Sequence, residues 1–218
     1  MIKEYDNIKI EALDILLNKK TTLQKFYDLI PIKSTIINSL VSINIHDKYE
    51  FLNADKEELI KLLNINTKTF YNLYMFFHTY DFIDRKLSDL KYIDPLLIQN
   101  LKSDGIKNSS QYFKIVKELG LLSFQKRYNT SPEIIKKIWC LCDLMRLPGV
   151  KAIRSELYFN CGYTSVKTFA CETPENILTA IKNYINNNID NKAKIIPLPK
   201  EISTQIAVAK SIPHLIWD

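Results

Sequence analysis

Glycine is nearly missing from this chain, with four residues in 218, at positions 105, 120, 149 and 162. No G-x-G-x-x-G, no P-loop and no G-x-S-x-G nucleophile turn occurs, so the common glycine-built nucleotide and acyl-transfer sites are excluded. Histidine is as scarce: His46, His78 and His214 are scattered, and none stands in an H-E-x-x-H pattern. Long apolar runs are missing as well. The densest, Tyr71 to Tyr80, is interrupted by Asn72 and His78, and it falls far short of the roughly 20 residues that span a bilayer. The N-terminus carries acidic residues and no apolar stretch of signal or transit type, so a soluble, cytoplasmic protein is expected. Strand-like alternation of period two is absent too.

The four cysteines, Cys140, Cys142, Cys161 and Cys171, include no C-x-x-C pair. Without a secretion signal they are expected to be reduced. Cys140 and Cys142 fall two positions apart on one predicted helix, about 200° around it, and so cannot easily share an ion. Buried thiols filling core gaps are the expectation, with no metal and no cofactor.

The composition that remains is globular, 46% hydrophobic and 25% charged, in a chain long enough to bury a core unaided. The net charge of +6 fits a polyanionic partner such as nucleic acid. The chain is also rich in Ile, Lys and Asn, a coding bias that raises lysine without function, so charge alone does not decide.

The most informative stretch is Asp143 to Tyr163, which holds two of the four glycines. It reads as a helix, a tight hairpin at Gly149-Val150-Lys151, a second helix and a turn at Gly162. A unit of this shape, helix-hairpin-helix, holds a nucleic-acid backbone or packs between helices. The same spacing recurs. Thirteen positions separate Gly149 from Gly162, Tyr92 from Gly105, and Pro31 from Asn44. The residue after each turn is apolar (Ile45, Ile106, Tyr163), and seven past each turn stands an aromatic (Phe51, Tyr112, Phe169). A β-branched aliphatic follows each hairpin start (Ile32, Ile93, Val150). Asn and Gly suit a left-handed helix end. Three repeats are therefore predicted, beginning near residues 29, 90 and 147.

Helix starts are marked at Asn53-Ala-Asp, Ser131-Pro-Glu and Thr173-Pro-Glu. The helix after Ser131 is apolar around much of its girth (Ile134, Ile135, Ile138, Trp139, Leu141, Cys142, Met145), and its counterpart Thr67 to Tyr80 carries Phe70, Leu73, Tyr74 and Phe77. Asn186 to Lys200 reads as a linker. Glu201 to Ser211 reads as a short amphipathic helix with Ile202, Ile206 and Ala209 on one side, and the apolar end is expected to tuck in and fix Trp217. The fold expected is all-α: three degenerate helix-hairpin-helix repeats in one compact helical body with a C-terminal helix and tail. The boundaries drawn are an N-terminal helical region with the first repeat (1–89), two further repeats (90–190), and linker, helix and tail (191–218).

In such a hairpin, backbone N–H groups at the second helix's start and the helix dipole attract phosphate, and nearby Lys or Arg completes the contact. The third hairpin supplies Arg146, Gly149, Val150, Lys151 and Arg154, with Lys167 expected near. Val150, Ile153 and Leu157 form the predicted inward face. The first hairpin offers Lys33 but no glycine, and Asp94 in the second would repel phosphate. Two readings follow: sequence-independent contact with a nucleic-acid backbone, or a protein-interaction scaffold with Tyr5, Tyr49, Tyr112 and Trp217 as anchors where exposed. Catalysis is not expected. Glu57 and Glu58 sit in a helix's first turn, and Asp81 and Asp84 at a helix end.

The segment Tyr92 to Ile185 resembles an uncharacterised bacterial family of tandem helix-hairpin-helix domains, a domain-of-unknown-function family. The motifs are Leu101-x-x-x-Gly-Ile106, Asp143-Leu-x-Arg-Leu-x-Gly-Val150, and Gly162-Tyr-Thr-x-Val166 followed by Thr173-Pro-Glu-Asn-Ile177. Ile196-Pro-Leu-Pro and Ala207-x-Ala-Lys-x-Ile-Pro213 are similar to that family's tail. The resemblance covers about the last 130 residues well and the first 90 more loosely. It implies the fold, and it implies no catalytic residues. Lys151 departs from the commoner hairpin, where a second glycine often stands.

Overall fold

A computed structural model describes residues 3–18, 22–188 and 196–217. Among these, the chain is helical and contains no strand. The elements are α1 (Lys3–Asp6), α2 (Leu13–Leu17), α3 (Lys33–Ser42), α4 (Lys48–Asn53), α5 (Lys56–Leu63), α6 (Thr67–His78), α7 (Pro95–Ser103), α8 (Ser109–Tyr128), α9 (Pro132–Leu144), α10 (Ala152–Asn160), α11 (Val166–Ala170), α12 (Pro174–Asn187) and α13 (Pro199–Ala209), with 3-10 turns at Ile10–Ala12, Gln24–Leu29 and Leu87–Asp89. No helix among the described residues is long and apolar enough to cross a membrane. Part of the predicted linker, residues 189–195, lies outside the described residues.

The chain forms two compact units. The first comprises Met1–Phe82, Ala170–Pro174 and Pro197–His214, and the second Ile83–Phe169, Glu175–Ile196 and Leu215–Asp218. In the first, α6 packs on the 3-10 turn Gln24–Leu29, and α13 packs on α2. Its core is aromatic: Phe51 lies against Phe70 and Phe77 with centroids 5.8 and 5.1 Å apart, and Phe26 meets Phe76 edge-on at 5.2 Å. Helix α13 buries Ile202, Gln205, Ile206, Ala207, Val208 and Ala209. That is more than the one apolar side expected, because small residues let neighbours approach around most of the helix.

In the second unit α9 packs between α8 and α10. Burial of Ile135, Ile138, Trp139, Cys140, Leu141, Cys142 and Leu144 follows from having neighbours on two sides. Ile134, expected inside, is exposed. Helix α8 is bent at Gly120, whose φ of 68° and ψ of 164° are essentially glycine-only. Nothing in the repeat pattern signalled this bend.

The three turns at Asn44, Gly105 and Gly162 share one hydrogen-bond pattern. Each residue is left-handed, with φ of 62°, 84° and 94°. The following N–H groups of Ile45, Ile106 and Tyr163 donate back to the carbonyls of Leu40, Leu101 and Tyr158 at 3.0, 2.9 and 3.0 Å. The turn residues themselves donate to Val41, Lys102 and Phe159 at 3.0, 3.1 and 2.9 Å. This pair of hydrogen bonds satisfies the orphan carbonyls of a helix end. Three residues on, Asp47, Asn108 and Ser165 start the next helix. The Asp47 carboxylate accepts from Glu50 N at 2.9 Å, and the Ser165 hydroxyl from Thr168 N at 3.0 Å. In return the Glu50 carboxylate accepts from His46 N, and Gln111 Oε1 from Lys107 N, each at 2.7 Å. Phe51, Tyr112 and Phe169 are all fully buried.

Two further bonds repeat. Lys48 N donates to the Ile8 carbonyl at 2.8 Å, and Ser109 N to that of Arg85 at 2.8 Å. In the third copy Val166 N donates instead to the Asp143 carboxylate at 2.7 Å. A side chain there does the work of a backbone carbonyl.

The first unit also buries a charge. Lys48 is fully buried and its ammonium lies 2.9 Å from Asp6 and 2.7 Å from Asp81. Tyr49 Oη and Phe82 N donate to the same Asp6 carboxylate at 2.7 and 2.8 Å, and His78 lies 2.8 Å from Asp81. Burial alone would raise the Asp81 carboxyl, but the bonds and charges of Lys48 and His78 outweigh it and hold it below the usual value. Burial, the bond to Asp6 and the surrounding carboxylates push the Tyr49 phenol well up.

Two outcomes are expected. At Gly105 and Gly162 an added Cβ meets nothing within 4 Å, so the requirement is the left-handed backbone alone. Substitution by Ala costs about 1–2 kcal/mol, whereas substitution by Asn is close to neutral because Asn44 already fills the equivalent place. Urea unfolding of the four variants measures this. Because the folded Asp81 carboxyl titrates below its unfolded value, its contribution is complete above the ordinary carboxylate pKa of about 3.9 and is lost as pH falls through the lower, folded value. Thermal melts between about pH 5 and 2 should therefore fall more steeply for the parent chain than for Asp81→Asn.

Candidate nucleic-acid interface

The hairpin between α9 and α10 is built by a buried ion pair. Asp143 ends α9 and Arg146 follows one turn later. The two side chains pair with each other and are each 1% exposed. The other Asp143 oxygen accepts from Val166 N, at the start of α11. One carboxylate thus joins the end of α9, the turn after it and the helix beyond α10. A carboxylate this deep is tolerated because both oxygens are partnered.

The turn then closes locally. Arg146 N donates to the Asp143 carbonyl at 3.1 Å, and Val150 N to that of Leu147 at 3.1 Å. Gly149 is exposed with φ of 72°, and a Cβ there meets nothing within 4 Å. It is needed for handedness and not for close packing. Val150 is fully buried and anchors the turn. Lys151 occupies the N-cap of α10, is exposed and offers no side-chain acceptor to the first-turn N–H groups. By contrast Asp94 caps α7, accepting from Leu96 N at 2.9 Å.

The expected site residues separate accordingly. Gly149, Val150, Lys151 and Arg154 share one turn and helix start, with Arg154 half-buried one helical step from Lys151. Among the described residues, no carboxylate pairs with Lys151 or Arg154. Lys167 is exposed near the start of α11. Arg146 is a correction to the sequence reading: its guanidinium is used inside the fold and is not presented to a ligand. Lys33, at the start of α3, is tied 2.5 Å from Asp14. The inward face of α10 is also corrected. Val150 and Leu157 are buried as expected, but Ile153 is 55% exposed, and Ser155 and Tyr158 complete the buried face. The two-residue shift reflects where α10 begins, at Ala152 rather than within the hairpin.

The anchors expected of a protein-binding surface are largely used up. Tyr5 and Tyr112 are buried, the Tyr112 hydroxyl donating to the Ile135 carbonyl at 2.9 Å. Tyr49 is bonded to Asp6. Trp217 is half-buried against Trp139, with ring centroids 5.3 Å apart. Of the four thiols, Cys140 and Cys142 are buried, whereas Cys161 is half-buried and Cys171 exposed. The last two fall at helix ends, outside the packed face of α9. Burial and then the charge of Asp143 push the Cys140 thiol up to about 11, and burial pushes Cys161 up to about 11. No group of three or more His, Cys, Asp or Glu placed to hold a metal occurs among the described residues.

Charge divides unevenly. The second unit carries 18 Lys and Arg against 11 Asp and Glu, a net of +7, whereas the first carries 12 against 13, a net of −1. The chain's whole positive excess therefore belongs to the unit with the Gly149 hairpin. The net charge of +6 alone does not reveal this division.

If Asp143 locks the hairpin, Asp143→Ala should cost about 3–5 kcal/mol, the range for a buried pair losing one partner. Arg146→Ala in the same background should add much less than it costs alone. Denaturant unfolding of the single and double variants gives this coupling.

No curated protein and no solved structure matches the chain. The model of a domain of unknown function (DUF4332) matches residues 97–212, more than half of the chain, and the protein belongs to that family.

Proposed function

We propose that the second unit is a non-catalytic module whose α9–α10 hairpin, a helix-hairpin-helix, contacts a nucleic-acid phosphate backbone without sequence preference. The observation that carries this reading is the segregation of charge: the unit with the Gly149 hairpin bears +7 and the other unit −1. Lys151 and Arg154 are the contacts at the hairpin, supported by the N–H groups of an α10 start that no side chain caps. Lys167 adds charge, and Gly149 and Val150 hold the loop. Arg146 acts only through the fold, and Lys33 is left to the first unit's ion pair.

A second reading, protein interaction, draws on the first unit. Tyr71 and Met75 are exposed one turn apart on α6, and Tyr27 is exposed on the 3-10 turn that packs against it. Asp28, beside Tyr27, accepts from Thr69 and Asn72 at 3.2 and 3.0 Å, which keeps those apolar groups on one face.

Gel shifts with duplex and single-stranded probes across a salt series separate the two. Nucleic-acid binding that weakens steeply with salt is expected. Lys151→Glu with Arg154→Glu should abolish it while helical content is unchanged, and even the milder pair Lys151→Gln and Arg154→Gln should flatten the salt slope by about 2, near 0.9 for each lost phosphate contact. Binding unaltered by the double reversal removes the hairpin as the site. A pull-down that is insensitive to nuclease and lost on Tyr71→Glu favours the second reading.

A further inference from the structure

The solvent side of α10 carries an apolar group among charges. Ile153, in the helix's first turn, is 55% exposed. Lys151 before it is exposed, and Arg154 after it is half-buried. Among the described residues no carboxylate pairs with either cation. Glu156, the acid of α10, is tied to Lys137 at 2.7 Å instead. Side chains in a helix lean toward its N-terminus, so Ile153 and Arg154 both reach back toward the hairpin. The surface beside Gly149 therefore offers one branched alkyl group next to two positive charges.

That combination narrows the partner. A bare phosphate uses the cations and leaves Ile153 in water. A nucleic-acid backbone alternates phosphate with sugar, so a strand whose phosphates meet Lys151 and Arg154 brings a sugar against the residue beside them. The sugar then decides what Ile153 does. Deoxyribose presents C–H groups, which an alkyl side chain covers without loss. Ribose adds a 2′-hydroxyl, both donor and acceptor. Burying that hydroxyl against a group that cannot hydrogen-bond is unfavourable. The sugar is the same at every base, so the contact adds no sequence preference.

We propose that Ile153 packs against a deoxyribose beside the phosphates held by Lys151 and Arg154, and that it makes this hairpin select DNA over RNA. The inference rests on the nucleic-acid reading of the hairpin and adds the kind of sugar to it. The second hairpin gives an internal comparison. Leu96 stands four positions past Tyr92 as Ile153 stands four past Gly149, and it is 61% exposed. There the Asp94 carboxylate caps the helix and repels a backbone, so Leu96 has no sugar to cover.

The test uses the full chain with labelled DNA and RNA duplexes of one mixed sequence, followed by anisotropy at a fixed salt concentration. The parent chain should bind the DNA duplex about tenfold more tightly, the scale of one hydroxyl buried without a partner. Ile153→Ser removes the alkyl group and offers the ribose hydroxyl a partner, so the two affinities should converge to within about twofold. Its melting temperature should match the parent's, because Ile153 is exposed. Leu96→Ser, the same change at the capped helix, should leave the tenfold ratio intact. Equal affinities in the parent chain overturn the proposal. So does a ratio that survives Ile153→Ser, which would come from groove shape alone, or one that Leu96→Ser reduces as much. The reversal Lys151→Glu with Arg154→Glu keeps the two readings apart. If it abolishes duplex binding while the ratio survives Ile153→Ser, the sugar contact fails alone. If duplex binding survives the reversal unaltered, the hairpin reading fails and the sugar contact with it. Vesicles of anionic phospholipid also set phosphate beside apolar groups. Binding to these that Ile153→Ser abolishes, with no duplex binding by the parent chain, assigns the surface to a membrane and overturns the proposal.

Discussion

The left-handed turns at Asn44, Gly105 and Gly162 are each followed by a helix whose first turn is held by a carboxylate from earlier in the chain. Asp6 holds Lys48 through its ammonium, Asp84 accepts from the Ser109 hydroxyl and Ser110 N at 2.9 and 3.0 Å, and Asp143 accepts from Val166 N. The constraint is elementary. A helix start leaves N–H groups without partners and carries partial positive charge. A carboxylate answers both demands, and where it comes from a distant segment it also closes the chain on itself. In the first two copies that closure is shared with an antiparallel bridge, Lys9 with Asp47 and Lys86 with Asn108. At the third turn no bridge occurs among the described residues, and the closure rests on Asp143, paired with Arg146. The rigidity of the hairpin depends on that pair.

This accounts for how the basic residues divide. Arg146 and Lys151 are five positions apart in one hairpin yet do unrelated work. The Arg146 guanidinium is spent on a buried carboxylate, where a single strong partner offsets its loss of hydration. Lys151 and Arg154 stand on the far side of a turn that Val150 anchors and Gly149 bends, and no acid among the described residues answers them. The same contrast appears at the starts of α3 and α7. Lys33 is answered by Asp14 and the start of α7 by Asp94. Among the described residues, the start of α10 therefore keeps positive charge that no carboxylate balances, unlike the starts of α3 and α7.

Much of the fold was legible in spacing. The left-handed positions 44, 105 and 162, the apolar residue after each and the aromatic seven beyond are local requirements of a helix end and the next helix's first buried turn. Local requirements leave a periodic trace. The acids that close each copy lie 42, 25 and 23 residues before the groups they hold, and no periodicity reports a bond of varying length. The Asp143–Arg146 pair was visible as a motif but carried no sign of its burial, so Arg146 read as a surface cation. Ile153 misled for a related reason: its spacing from Val150 assumed one continuous helix, and α10 starts after Val150. The Gly120 bend had no partner position in the other copies.

The start of α10 bears on the nucleic-acid reading through its energetics. Helices α4, α5, α6 and α9 are capped by Asp47, Asp55, Asn66 and Ser131. Such a cap is worth about 0.5–2 kcal/mol. Helix α10 has Lys151 at that position and Arg154 within its first turn, so it forgoes the cap and sets two cations against the positive end of its own dipole. The Asp143–Arg146 closure and the buried Val150, Leu157 and Tyr158 hold the helix despite this. What the free protein lacks at this point is a negative group with acceptor oxygens. Under the nucleic-acid reading proposed above, a phosphate would supply that group, and the electrostatic cost of the uncapped start would become part of the affinity for it.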